Sequence, residues 1–411
     1  VAERMTYPIL ITCPREIPPI LAREVEALGL PVSATLPAAV ETSGTLEDCM
    51  RLNLWLRTAH RVLLRLGSWN VRTADAMYEA INSIDWHEWI PANGYLSVVS
   101  SIDTPQIDNT MYANMRCKDA IVDQIRQRKG QRPDSGPDTS QSVVFLYWHD
   151  EVLMVYVDTS GQPLSDRGYR MHPAKAPMRE TLAAAVILST RWSPEYPFVN
   201  PMCGSATLGI EAALIAANIA PGSIRRNMGL LHLLPFAPDA WQRMRSQSRD
   251  QHRNPGSKIV CSDIDPRVVR QARENARAAG VDIALKVSDF RDVTPVPSQP
   301  SGGEHGPIII VNPEYGLRLG DERALRGVYH DIGDLFKQRF KGYTGYIFTG
   351  NFALAKEIGL RSSKRKTFWS ADVECRLLEF ELYEGTRKSY GTATSARTTD
   401  AHPSSSAPEN S

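Results

Sequence analysis

Asn312, Pro313 and Tyr315 stand together in the stretch VNPEYGLRLG. They supply a side-chain carbonyl, a main-chain carbonyl held by a restricted φ, and a flat aromatic face. At the end of a strand, the two carbonyls would accept both protons of an exocyclic NH₂ while the ring stacks on the base that carries it. That arrangement points the nitrogen lone pair at a methyl donor. Alone, an Asn-Pro turn closed by Gly316 is a frequent loop element, so its weight depends on its neighbours.

A second stretch, NPMCGSATLGIEAA, joins a short strand to a small-residue turn and then to a helix beginning near Thr207. Such a turn lets a ligand approach the backbone at the carboxyl edge of a sheet. Its spacing, Gly204, Ala206, Gly209, breaks the dinucleotide fingerprint at the middle glycine, and no Lys-Ser/Thr pair follows to make a phosphate loop. A nucleoside-like ligand without pyrophosphate remains, of which S-adenosyl-L-methionine is the common one. In VCSDIDPRVVRQARENARAAG, Asp263 ends a strand where it can accept from ribose hydroxyls, and Asp265 caps the next helix with Pro266 in its first turn. In KVSDF, Asp289 and Phe290 reach the same rim, an acid for an adenine amine and an apolar group for the ring.

The elements that must position these residues alternate. From about Thr181, short β-branched runs and amphipathic helices follow each other, with TLAAAVILSTRW as a leading helix, which indicates a doubly wound, mainly parallel α/β sheet. Before that, YPILITC and IPPILAREVEALG begin a β-α-β unit, and RVLLRLGSW, YLSVVSSID, NMRCKDAIVDQIRQRKG, SVVFLYWHD and EVLMVYVDTS give an α+β pattern. The expected units are residues 1–60, 61–160 and 165–385, with a disordered tail over 386–411. KGQRPDSGPDTSQS and VTPVPSQPSGGEHG read as mobile connections.

The totals of the 411 residues name no partner, because 47 basic residues nearly balance 46 acidic ones, and nucleic-acid binding would need local basic clusters. Six scattered cysteines without a C-x-x-C pair, and no secretory leader, lead us to expect a reducing cytoplasm and no structural metal. No apolar run approaches the roughly 18 residues of a membrane span.

In this order, NPMCGSATLGIEAA, CSDIDP, SDF, NPEYGLRLG and TGN followed by VECRLLEFEL resemble the THUMP-containing RNA methylases. The resemblance is greatest to the bacterial enzymes that methylate guanine N2 in large-subunit ribosomal RNA. ANMRCKDAIVDQIRQRKGQRP is similar to the end of a THUMP domain, LSDRGYR with APMRETLAAA to the entry of the catalytic domain, and the N-terminal unit to a ferredoxin-like piece. The resemblance implies a Rossmann-like class I methyltransferase domain after an α+β ferredoxin-like/THUMP region. It implies that Asn200, Pro201, Cys203, Gly204 and Ser205 line the methionine side of S-adenosylmethionine, and that Asp263 holds the ribose. Ile264, Asp289 and Phe290 would then surround the adenine, and Asn312, Pro313 and Tyr315 the target base. Arg179 and Glu180 would help shape the cofactor pocket. The chain departs from the family pattern at Asn200, usually Asp, at Ala206, usually Gly, and at Glu314, usually a second proline.

RNA would reach the site through basic clusters, Arg116, Lys118, Arg126, Arg128, Lys129 and Arg132 in the THUMP-like helix, and Arg361, Lys364, Arg365 and Lys366 beside Phe368 and Trp369. Solvated helix faces are the plain alternative for each. Rival readings are a transfer-RNA guanine methylase, a DNA amino methylase, and a non-catalytic RNA-binding relative whose pocket has decayed at Asn200, Ala206 and Glu314. The sequence is silent on oligomeric state.

Overall fold

The computed structural model describes residues 5–171, 178–254, 258–298, 303–314 and 322–383. Tyr315, Gly316 and the tail over 386–411 lie outside the described residues.

The N-terminal region is built on β1 (Tyr7–Thr12), α1 (Pro18–Ala27), β2 (Val32–Leu36), β3 (Ala39–Gly44), α2 (Leu46–Trp55) and β4 (Arg61–Asn70). It continues with α3 (Ala74–Asn82), β5 (Tyr95–Asp103), α4 (Thr110–Lys129), β6 (Asp134–Ser135), β7 (Ser142–His149) and β8 (Val152–Asp158). One eight-stranded sheet contains all eight strands, in the order β2-β3-β1-β4-β8-β7-β5-β6. The ten-residue β4 joins its halves: Leu64 pairs with Ile9 of β1 on one side and with Val157 of β8 on the other. The sheet therefore runs on past residue 60. KGQRPDSGPDTSQS is more ordered than its composition suggests, because β6 pairs with Tyr95 and Leu96, and Asp134 N and Gly136 N donate to Gly94 O and Leu96 O.

The third region holds α5 (Glu180–Ile187), β9 (Phe198–Pro201), α6 (Thr207–Ala216), α7 (Pro238–Asp250), β10 (Ile259–Asp263) and α8 (Pro266–Ala279). After them come β11 (Ala284–Val287), β12 (Ile308–Val311), α9 (Glu322–Arg339), β13 (Thr344–Thr349), β14 (Lys364–Ser370) and β15 (Val373–Glu381). Helix α5 stops short of the expected STRW because the Ser189 and Thr190 hydroxyls donate to the Ala185 and Ile187 carbonyls, each at 2.7 Å, and divert the last turn.

The strands lie in the order β11-β10-β9-β12-β13-β15-β14, and β15 runs antiparallel to its neighbours β13 and β14. The chain moves outward from β9 through β10 to β11, then returns to the other side of β9 as β12. This reversal opens a crevice beyond the carboxyl ends of β9 and β12, where doubly wound sheets take ligands. Strand β12, Ile-Ile-Ile-Val, is wholly buried, as a strand covered on both faces must be.

The regions share their cores. Ile9, Ile11, Val62 and Leu64 cluster with Leu182, Val186, Leu208 and Ile210, while Trp148 and Val155 cluster with Leu230 and Trp241. Among the described residues no helix is long and apolar enough to cross a membrane.

Candidate functional site

The turn after β9 is braced from three sides. Asn200 is buried, and its amide nitrogen donates to Ile310 O at 2.9 Å, tying β9 to β12. A carboxylate could not make that bond, so the Asp-to-Asn departure gives the sheet a cross-link as well as removing a charge. Pro201 closes the strand, and Cys203 N donates to Ser262 O at 2.9 Å. Gly204 N donates to Asp263 Oδ2 at 3.0 Å. Gly204 has φ +54°, and a Cβ there would meet nothing within 4 Å, so the backbone stands open to an approaching ligand. Burial pushes the Cys203 thiol well above its ordinary range, so it lines the turn as a neutral group rather than as a nucleophile.

Ala206, fully buried at φ +60°, does more than add a methyl group: its left-handed backbone costs an alanine about 1–2 kcal/mol. The surroundings hold it there. Asn275 of α8 donates to Ser205 O at 3.3 Å and accepts from Met171 N at 3.0 Å, and Arg170 reaches Thr207 Oγ at 3.3 Å and Glu180 Oε1 at 3.1 Å. Neither Arg170 nor Asn275 stood out in the sequence. The available signal was Asn275 lying on the apolar stripe of α8 with Val269, Ala272, Ala276 and Ala279. Glu180 is buried in its pair with Arg170, and burial raises its pKa. Arg179 is exposed and lines a separate cleft.

Asp263 ends β10 with both oxygens engaged, Oδ2 by Gly204 N and Oδ1 by Asp265 N at 3.1 Å. Each carboxylate oxygen keeps a further lone pair for a hydroxyl donor. Ile264 projects from the rim, 67% exposed, available as a flat apolar support. Asp289 and Phe290 carry contacts that the sequence did not announce. The Asp289 carboxylate accepts from Arg291 N at 2.9 Å and pairs with Arg291 Nη1 at 3.0 Å, while Arg291 Nε binds Asp331 at 2.7 Å. Phe290 is buried against Val199, Ile309 and Val311, with the Arg291 guanidinium 4.6 Å over its ring. Any further donor at Asp289 would share the carboxylate with Arg291, and Phe290 supports the rim from below.

Asn312 follows β12 directly. Its Oδ1 is buried and has no hydrogen-bond partner among the described residues. An orphaned acceptor costs about 1–3 kcal/mol unless a donor arrives. Pro313 is buried beside it and Glu314 is exposed. At the end of neighbouring β13, Phe352 is half-buried with Arg376 stacked 3.8 Å above it, an aromatic face on this rim that the reading of the sequence passed over.

The basic residues divide. Arg116 pairs with Asp75 at 2.8 Å and lies over the Tyr78 ring, and Lys118 sits 3.2 Å from Asp119. Arg126, Arg128, Lys129 and Arg132 are exposed at the carboxyl end of α4, where cations also complement the helix dipole. Arg361, Lys364 and Arg365 are exposed. Lys366 is not part of that free surface: its Nζ donates to Ser189 Oγ at 3.1 Å, it lies over Phe368, and burial lowers its pKa. Phe368 is itself buried.

Residues 167–379 match the family described as RMKL-like, methyltransferase domain. The chain belongs to this family. Residues 8–63 match the RlmL ferredoxin-like domain and 71–158 the THUMP domain, which leaves residues 64–70 of β4 between the two matches. The "Ribosomal RNA large subunit methyltransferase K/L" of Syntrophotalea carbinolica is 36% identical over 384 residues, covering 91% of this chain and 53% of that protein. The chain spans about half the length of the curated relatives it matches.

Among solved structures, SMU.472, assigned as a methyltransferase and complexed with SAH, superposes with a TM-score of 0.80 at 28% identity, covering 93% of this chain and 99% of that one. A Listeria monocytogenes protein described by prediction as an N6-adenine-specific DNA methylase gives 0.81 at 27% identity, covering 92% and 97%. The RMKL-like domain here is thus a class I methyltransferase fold behind ferredoxin-like and THUMP domains.

Proposed function

We propose that the chain transfers a methyl group from S-adenosylmethionine to the exocyclic N2 amine of a guanine in large-subunit ribosomal RNA. The observation that carries this reading is the orphaned Asn312 Oδ1 on the switch-point rim shared with Asp263 and the open face of Gly204. S-adenosylmethionine would supply the electrophilic methyl carbon. Its fit rests on the turn of Pro201, Cys203, Gly204 and Ser205, on the free lone pairs of Asp263 and on the exposed Ile264. Asn200 would support this turn from within the sheet, and Asp289 with Phe290 would close the adenine side.

Displacement at a sulfonium needs positioning more than strong acid or base catalysis. Guanine N2 is a weak nucleophile because its lone pair is delocalised into the ring. Asn312 Oδ1 and the Pro313 carbonyl accept hydrogen bonds from its two N–H groups and favour the pyramidal nitrogen that can attack, and the one proton that the methylated nitrogen sheds passes to solvent. Tyr315 is proposed as the stacking ring. Exposed Arg126, Arg128, Lys129, Arg361, Lys364 and Arg365 would meet RNA phosphates, with Arg116 and Lys118 contributing from positions already paired.

The match to the THUMP domain and the name of the curated relatives favour ribosomal RNA. The DNA reading has one support, the name of the Listeria structure. Incubation with labelled S-adenosylmethionine and unmodified ribosomal RNA, transfer RNA and single-stranded DNA separates these. N2-methylguanosine from ribosomal RNA supports the proposal, and label in transfer RNA or as N6-methyladenine in DNA replaces it.

A further inference from the structure

A cleft of about 560 Å³ has no residue of the Gly204, Asp263 and Asn312 rim in its lining. Its walls come from three places: Pro14 and Arg15 after β1 with His60 before β4, Arg179 and Leu182 at the start of α5, and Trp369 to Asp372 in the β14–β15 hairpin. The hairpin stands at the same end of the sheet as Asn312. Strand β15 is antiparallel, so its first residue, Val373, lies three residues beyond the β13 end at Thr349, which pairs with Arg376. Strand spacing and rise put the cleft on the order of 15–20 Å from Asn312, a distance that a few nucleotides of an extended strand cover.

The lining has the chemistry of single-stranded nucleotide recognition. Trp369 offers a half-buried indole face, and the Arg15 guanidinium lies 5.8 Å above its centre. Arg15 and Arg179 are exposed, and among the described residues neither is paired with a carboxylate. His60 Nε2 is buried without a hydrogen-bond partner among the described residues. The exposed Asp372 adds an acceptor at the mouth. An aromatic plane, two guanidinium groups and a ring nitrogen without partners among the described residues, in a cleft of nucleotide size, match the stacking and phosphate contacts by which proteins hold unpaired strands.

Resting on the RNA-methylating function proposed above, we infer that this cleft takes a nucleotide of the RNA strand a few positions from the target, with its base on Trp369 and its phosphate between Arg15 and Arg179. It would hold the strand in register while the target base is turned out toward Asn312. The site joins the ferredoxin-like unit to the catalytic domain, so the N-terminal unit contributes directly to substrate placement.

The test uses a five-nucleotide single-stranded RNA carrying 2-aminopurine, whose fluorescence falls on stacking. Wild type quenches the probe, Trp369→Ala binds it about tenfold or more weakly with the quenching lost, and Trp369→Phe retains both. Arg15→Gln lowers the slope of log affinity against log salt by about 0.7. The Phe variant and a circular dichroism spectrum guard against a hairpin that has merely loosened. Unchanged affinity and quenching in Trp369→Ala overturn the inference. Absence of methyl transfer to any RNA, with these binding differences intact, overturns the catalytic reading and leaves the cleft supported.

Discussion

Replacing Glu211 by Gln should loosen the attachment of α6, and of the Gly204 turn before it, to the N-terminal unit. Glu211 sits on α6 one helical turn after Thr207 and is fully buried. Its Oε1 accepts from Tyr169 Oη at 3.1 Å and faces Arg167 Nε at 3.5 Å. Arg167, 1% exposed, donates to Leu164 O at 2.8 Å and Arg57 O at 2.5 Å, and burial lowers the neighbouring Arg57 to about 10. At an effective dielectric constant of 20, two unit charges at the Arg167–Glu211 separation attract by about 5 kcal/mol. The glutamine keeps the shape and the Tyr169 bond but leaves two buried guanidinium groups short of a counter-charge. Breaking such a pair costs about 3–5 kcal/mol, whereas replacing both partners with apolar groups costs far less. Urea unfolding followed by circular dichroism should show Glu211→Gln destabilised by about 3 kcal/mol, with Arg167→Met/Glu211→Leu recovering most of the loss. Calorimetry should show weaker S-adenosylmethionine binding, because the turn is anchored through α6. A Glu211→Gln variant within about 0.5 kcal/mol of wild type would refute this account of the network.

Two further outcomes are expected. Glu314→Pro should raise the single-turnover rate of methyl transfer about two- to fivefold, or about 0.4–1 kcal/mol off the barrier, with RNA affinity unchanged, because a fixed φ beside Pro313 holds the chain next to Asn312 in place during transfer. His60 is held down at about 4, first by burial and then by Arg179, Arg61 and Arg167. Its folded pKa lies below the unfolded value near 6.5, so its contribution is complete above that pH and is lost as pH falls toward 4. The difference in urea midpoint between wild type and His60→Gln should therefore shift in favour of the variant between pH 6.5 and 4.5. A constant difference would show that His60 titrates alike in the folded and unfolded chain and is not held down by its surroundings.

Strand ends carried most of what the sequence disclosed. Ile308–Val311, Ile259–Asp263 and Phe198–Pro201 are short apolar runs ending in turn-forming residues, and a doubly wound sheet gathers such ends on one rim, so Gly204, Asp263 and Asn312 could be grouped before their positions were known. What escaped depends on partners distant in the chain. Asn275 bonds Met171 across 104 positions, Lys366 finds Ser189 across 177, and the two-sided pairing of β4 has no local mark. The partner of Asp289 was hidden for a related reason: a strand-end acid reads the same whether it faces solvent or an arginine two residues on. Asn200 was read as a lost charge, and only its contact with Ile310 O shows what the amide adds.

The central claim is that Asn312 holds the amine of a guanine in ribosomal RNA for methylation. Single-turnover transfer of labelled methyl to unmodified ribosomal RNA, compared between wild type and Asn312→Ala, tests it most directly. The account predicts N2-methylguanosine as the wild-type product and a rate about a hundredfold or more lower in the variant, with S-adenosylmethionine affinity unchanged. Equal rates in the two proteins would contradict it.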